Sequence, residues 1–183
     1  MFKSYYADPP ESKKVKYSEG VFVGYRHYDA ASTKPLFPFG CGLSYTSFGD
    51  ANLSVTPSGG SLKDATTVSF DVTNTRARQG SEVAELYVAP PHSQVPRPAK
   101  ELKGFAKVDL KPGEMRHMTL TLDRRAFSYY DVDKKDWVAE AGEYTILVGG
   151  SSVSLPPEGV VHPAIRRVGT EWIVEQLAFY KPV

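Results

Sequence analysis

Apolar and polar residues alternate in short runs along the middle of this chain, and that period of two commits the region to strands. Val68, Phe70 and Val72 alternate with Ser69, Asp71 and Thr73. Successive side chains of a strand point to opposite faces, so one set is buried and the other faces water. The run 82–88 is different: Val83 and Tyr87 fall on one face, and Ala84, Leu86 and Val88 on the other. Both faces are apolar, which reads as a central strand. Residues 100–110 resume a strand pattern, and Met118, Leu120 and Leu122 alternate with threonines. Residues 126–132 and 136–139 flank a polar Asp-Lys-Lys as a hairpin, and 143–148 closes the set.

Turn chemistry separates these runs. Residues 75–80 are polar, and Lys111, Pro112, Gly113 and Glu114 form a turn in which proline pre-sets φ and glycine tolerates a positive φ. Pro90, Pro91, Pro96 and Pro98 remove backbone donors and push their predecessors toward extended conformations, so 89–99 is expected to be a long irregular loop. Short strands at roughly 8 to 12 residue spacing, about seven of them, predict an immunoglobulin-like antiparallel β-sandwich.

Composition narrows the function classes. A chain of 183 residues holds one ordinary domain with extensions, and 41% hydrophobic with 23% charged residues is a globular balance. A net charge of +1 lacks the clustered basic surface that nucleic acid requires. Cys41 is the single cysteine, so there is no internal disulfide and no zinc-type spacing. No apolar run approaches the roughly 20 residues that span a bilayer, and the first residues lack the apolar core of a secretory leader. No nucleic-acid or membrane partner, cofactor or metal is expected. Compartment stays unassigned.

Two stretches ahead of the strands carry a denser signal: YSEGVFVGYRHYD at 17–29 and FPFGCGLSYTSF at 37–48. They resemble the junction in glycoside hydrolase family 3 enzymes, the β-glucosidases and β-xylosidases, where the second α/β domain ends and a fibronectin type III-like domain begins. The match falls at Tyr17, Glu19, Gly20, Val23, Gly24, Tyr25, Arg26, Tyr28 and Asp29, then at 37–40, 42–46 and Phe48. Cys41 stands where a histidine or aromatic residue is usual. Downstream, VTNT at 72–75, GSEVAELYVAPP at 80–91, VPRPAKELKGFAKVDLKPGE at 95–114 and AGEYTILVGGSS at 141–152 resemble landmarks of the fibronectin type III-like domain in those enzymes.

The resemblance implies three parts. Residues 1–48 are a remnant of the α/β domain and linker, 49–152 the sandwich, and 153–183 a C-terminal extension. Within the first part a strand is expected at about 21–28, with unpaired edges through which copies of the chain could associate, or else folded back onto the sandwich. Within the last, 170–180 reads either as a short amphipathic helix, with Trp172, Ile173, Gln176, Leu177 and Tyr180 at helical spacing, or as a final strand; the strand is preferred.

A complete glycosidase of the retaining type needs two carboxyls about 5 to 5.5 Å apart. The resemblance implies that the family's nucleophile, an aspartate in an S-D-W-type motif, and its acid/base glutamate lie upstream of the part retained here, so no catalytic residue is assigned. Glu19 reads as structural, in a loop or paired with Arg26. Asp131, Asp133 and Asp136 lack the glycine and terminal glutamate of an EF-hand loop and read as a solvated hairpin. Ser128 has no recognisable triad, and His27, His92, His117 and His162 are scattered. Arg76, Arg78, Arg97, Lys100, Lys103 and Lys107 are interleaved with Glu82, Glu85 and Glu101 as a mixed-charge surface. Tyr129, Tyr130 and Trp137, on the predicted hairpin, are the candidates for stacking on a sugar, with core packing as the alternative.

The sequence thus reads as a non-catalytic C-terminal module of a β-glucosidase-like enzyme, silent by itself, whose partners are the catalytic domains of the parent and a β-glucan or cello-oligosaccharide. A stand-alone carbohydrate-binding module and a small β-glucosidase with an unrecognised carboxylate pair are the alternatives.

Overall fold

In the computed structural model, residues 17–56, 65–93, 95–140 and 142–155 are described in full, and 57, 163–168 and 171–176 by their backbone. The alternation sets the core. Strand β2 (Thr66–Asn74) turns Val68, Phe70 and Val72 inward, each essentially without solvent exposure. Burying each such side chain is worth about 1.5–3 kcal/mol. β2 lies between β1 (Phe48–Pro57) and β5 (Met115–Leu122), both antiparallel to it.

The facing sheet centres on β3 (Gly80–Ala89), flanked by β4 (Glu101–Leu110) and β9 (Thr145–Gly149). Ala84, Leu86 and Val88 of β3 meet Phe70, Val108, Leu110, Ile146 and Val148 in one core between the sheets. The all-β antiparallel sandwich is therefore observed, and β3 is the central strand its two-faced pattern predicts.

The hairpin of β6 (Ser128–Asp131) and β7 (Asp136–Ala139) forms where expected, as a separate two-stranded sheet. A 3-10 turn at Arg124–Phe127 leads into it, capped by the Asp123 carboxylate, which accepts from the Ala126 N–H at 3.0 Å. β8 (Gly142–Glu143) pairs with β10 (Pro163–Val168), and β10 with β11 (Glu171–Gln176). The tail is a strand over 171–176; residues 177–180 lie outside the described residues.

Two features depart from the sequence reading. β1 was not among the expected strands. Its register with β2 shifts between Ala51 and Ser54, where Asn52 adopts φ 54, and the bulge interrupts the alternation by which a strand is recognised. The strand expected at 21–28 is a correction: a turn at 18–21 leads to a short helix α1 (Tyr25–Ala30). Gly24, at φ 59 and ψ −133, breaks the extended run, and its carbonyl accepts from the His27 and Tyr28 N–H groups. No extended edge exists there for pairing between copies.

One buried amide ties the turns together. Asn74, fully buried, accepts at Oδ1 from the Thr46 hydroxyl (2.5 Å) and the Arg76 N–H (3.1 Å). Its Nδ2 donates to the carbonyls of Arg78 (2.7 Å) and Leu110 (3.1 Å). Its own N–H donates to Glu114 O, and its carbonyl accepts from Gly113 N–H. Asn74→Ala strands several of these groups without water, and is expected to lower the unfolding free energy by about 2–4 kcal/mol in urea denaturation.

Candidate functional site

The outer face of β3 carries polar and aromatic side chains that a solvent-facing strand would not bury. Glu85 is 5% exposed and Tyr87 fully buried, and the Tyr87 hydroxyl donates to Glu85 Oε2 at 2.6 Å. Burial first, then the neighbouring Glu85 carboxylate, holds the Tyr87 phenol well above its ordinary range. What covers them is the N-terminal segment, which runs over the sheet as a strap.

Tyr25 of α1 anchors the strap. Its ring meets Tyr87 edge-on at 5.6 Å and lies tilted on Phe39 at 5.5 Å. Its hydroxyl accepts from the Leu102 N–H at 2.8 Å. The β3–β4 register slips between Leu86 and Tyr87, leaving Lys103 without a facing residue, and Leu102 sits beside this bulge. Lys100 Nζ pairs with Asp29 at 2.6 Å, and Arg26 reaches Glu101 at 3.5 Å. Glu101 also meets Arg97 (3.2 Å) and Lys103 (3.5 Å), so one carboxylate holds three cations. Burial lowers the Lys103 pKa against the upward pull of Glu101. Arg97, its side chain 5% exposed, lies 3.8 Å from Glu140 and beneath the Tyr129 ring at 5.5 Å.

Gly40 follows at φ 81, and a Cβ there would lie 2.5 Å from the Glu85 carboxylate oxygens, so glycine is demanded both by conformation and by space. The Phe39 carbonyl accepts from the Ser152 N–H at 2.9 Å. The stretches at 25–29, 37–40, 85–87 and 149–152 thus converge. Beside them opens a cleft of about 690 Å³ lined by Tyr25, Tyr28, Phe37, Phe39 and Val153, with Asp29 among its walls.

Other sequence candidates fall elsewhere. Tyr130 and Trp137 are cross-strand partners, 49% and 38% exposed, with ring planes 69° apart. The Arg125 guanidinium stacks over Trp137 at 4.1 Å. Tyr129 is half-buried. Asp131 accepts from the Asp133 and Lys134 N–H groups and pairs with Lys134 Nζ at 2.8 Å, so its oxygens organise the hairpin turn. Glu19 lies in the turn at 18–21, and the partner of Arg26 is Glu101. The Ser128 hydroxyl donates to the Arg124 carbonyl, His117 contacts Asp71 at 2.7 Å, and His27 packs against Tyr28. His162 lies outside the described residues. Cys41 is exposed. Among the described residues no group of histidine, cysteine and carboxylate side chains is placed to hold a metal, and no helix is long and apolar enough to cross a membrane.

Residues 82–152 match the family model described as the fibronectin type III-like domain. With the two antiparallel sheets, that defines the class: a fibronectin type III-like β-sandwich. The thermostable β-glucosidase B of Acetivibrio thermocellus is 50% identical over 149 residues, covering 81% of this chain and 20% of that protein. The crystal structure of a Bifidobacterium adolescentis family 3 β-glucosidase matches with TM-score 0.75 at 42% identity, over 85% of this chain and 23% of that one. β-Glucosidase 3B from Thermotoga neapolitana, in complex with glucose, matches with TM-score 0.77 at 33% identity, over 93% and 23%. The chain spans about a fifth of the length of the curated relatives it matches. It corresponds to the C-terminal portion of a glycoside hydrolase family 3 β-glucosidase, the fibronectin type III-like domain with the residues that lead into it.

A second carboxylate environment sets a pH response. Asp50 of β1 carries a buried oxygen without a hydrogen-bond partner among the described residues. Burial, then the nearby Glu82, raises its pKa from 3.8 to about 6. An acid whose pKa rises on folding binds its proton more tightly in the fold. Its contribution is therefore fully present below pH 3.8 and lost as pH rises through about 6. Asp50→Asn is expected to melt increasingly above the parent chain as pH rises from about 4.5 to about 7; a constant difference across thermal melts in that range contradicts the assignment.

Proposed function

We propose that this chain is a non-catalytic module that stabilises and orients the catalytic domains of a family 3 β-glucosidase-like enzyme. The observation that carries this reading is that strap and sandwich together, not the sandwich alone, resemble a fifth of much longer glycosidases, with 81% to 93% of this chain covered. Three of the carboxylates described above, Glu85, Glu101 and Asp131, support it. Glu85 is engaged by Tyr87, Glu101 by three cations, and Asp131 by its own turn, so each has a structural task. Purified full-length chain is expected to release no phenol from an aryl-β-glucoside beyond a host-matched blank. Turnover abolished by a single Asp or Glu substitution, and not by a control substitution, overturns the reading.

Residues from 24 to the start of β1 belong with the sandwich as its covering layer, and the strands at 163–168 and 171–176 are additions to it. Support comes from Tyr25 on Tyr87, Thr46 on Asn74, and the Ser47 carbonyl accepting from the Thr75 N–H at 2.8 Å. A chain starting at residue 24 should melt like the full chain. One starting at residue 49 should still melt cooperatively, but with about 2–3 kcal/mol less stability. Equal stability of the two truncations removes the strap from the folding unit.

A sugar-contacting role has one observation in its favour, the exposure of Tyr130 and Trp137 on the hairpin. Arg125 already occupies one face of Trp137, and the rings are not coplanar, so the module reading is preferred. Retardation of the chain by xylan or a soluble β-glucan in native gels, lost in Trp137→Ala, would reverse that preference.

A further inference from the structure

The strap covers the β3 sheet, whereas the outer face of the other sheet, β1–β2–β5, carries a second group of functional side chains. Strand register sets them in rows. Ala51, Asp71 and His117 share one row, and Gly49, Thr73 and Met115 the next. Two residues apart on one strand, Met115 and His117 therefore share a face of β5, about 6.4–6.8 Å apart along it. Both are open to solvent: Met115 is 58% exposed and the His117 side chain 62%.

The imidazole is held from behind. Its Nδ1 lies 2.7 Å from Oδ1 of Asp71, a buried residue whose other carboxylate oxygen accepts from the Asn52 amide at 2.8 Å. The bulge in β1 builds this support, because Asn52, at φ 54, stands outside the ladder and from there reaches Asp71. The hydrogen bonds from Asn52 and then His117 hold the Asp71 carboxyl below the usual carboxylate range. An ionised carboxylate can only accept, so Nδ1 is the protonated nitrogen. In the neutral ring the lone pair is then on Nε2, the nitrogen that Asp71 leaves free. A carboxylate behind an imidazole is the support that metal-binding histidines have, since it fixes the tautomer and raises the basicity of the other nitrogen.

We propose that His117 Nε2 and Met115 Sδ form a two-donor site for a soft monovalent cation, Cu(I) or Ag(I), with Asp71 as the positioning residue behind the imidazole. The donor set selects the ion. Zinc and calcium need larger sets of nitrogen, thiolate or oxygen donors, and among the described residues no group of histidine, cysteine and carboxylate side chains supplies one. A thioether is a poor ligand for hard cations and a good one for Cu(I). Filled-shell monovalent ions are also satisfied by two donors in line, which is what one face of a strand can offer. The unbranched methionine side chain is flexible enough to bring its sulfur toward the ring with the backbone unmoved. This site is independent of the module reading given above.

Cys41 is an exposed thiol that captures the same ions, so the test uses the full chain carrying Cys41→Ser. Silver ion is titrated into this chain with isotope-labelled methionine methyl groups. The Met115 methyl resonance is expected to move and to saturate at one equivalent, while that of Met118, packed against the core, stays in place. In anaerobic competition against a coloured Cu(I) chelator, Met115→Leu and His117→Ala are each expected to weaken binding by at least about tenfold. Both positions are exposed, so both variants should melt like the parent, and lost binding is then not lost folding. Asp71→Asn should weaken binding by about tenfold and alter the His117 tautomer, read from its ring nitrogen shifts. A Met115 methyl unmoved by silver overturns the site. Cu(I) affinity unchanged in Met115→Leu reduces it to a lone histidine and overturns it too. Binding seen with Cys41 present and absent in Cys41→Ser assigns the ion to the thiol and overturns the proposal.

Discussion

A side-chain amide sealed from water has to find every partner inside the protein, and at Asn74 that requirement fixes how the strands are joined. Its two donors and two acceptor positions are all taken, by groups from the segment before β1, the β2–β3 turn and the end of β4. Its backbone holds the β4–β5 turn as well. Hydrophobic burial is non-directional and would tolerate several ways of closing a sandwich. The amide is not tolerant. A shift of any one of these turns leaves a polar group unpaired in a dry interior, at a cost comparable to a sizeable part of a small domain's stability.

The same logic explains β3. A strand with apolar groups on both faces needs cover on both, and the opposing sheet can supply one. The strap supplies the other, held by aromatic contact at Tyr25, by ion pairs at Asp29 and Arg26, and by a glycine that brings backbone directly onto Glu85. These ion pairs are partly buried, so much of their attraction is offset by the loss of water from the charges. Their value lies in orienting a layer whose adhesion comes from Tyr25 and Phe39.

How much of this could be read from the residues depends on the range of the interactions. β2, β3 and the hairpin were legible because alternation and turn chemistry are local. β1 was not, because the bulge around Asn52 breaks the period by which a strand announces itself. Residues 21–28 misled for the opposite reason: Val21, Phe22, Val23 and Tyr25 are strand formers, but Gly24 and the docking of Tyr25 decide the backbone. At the site, the motif around FPFG was plain while its counterpart was not. Glu85, Lys100 and Glu101 read as surface charges until the fold brought them beneath the strap. A polar residue inside a strand apolar on both faces was the available clue.

Loops that carry several prolines are usually where related chains differ in length. The loop after β3 is constrained in a way its composition conceals, because Arg97 turns inward between Glu101 and Glu140 and under Tyr129. Lengthening it would withdraw a desolvated guanidinium from two carboxylates at once. Among the described residues the hairpin tip at 132–135 shows no such tether to the body, its turn being closed by Asp131 with the Asp133 and Lys134 N–H groups and the Lys134 ammonium. Inserted sequence, whether arising by drift or added by design, has its natural place at that tip, and the proline loop keeps its length.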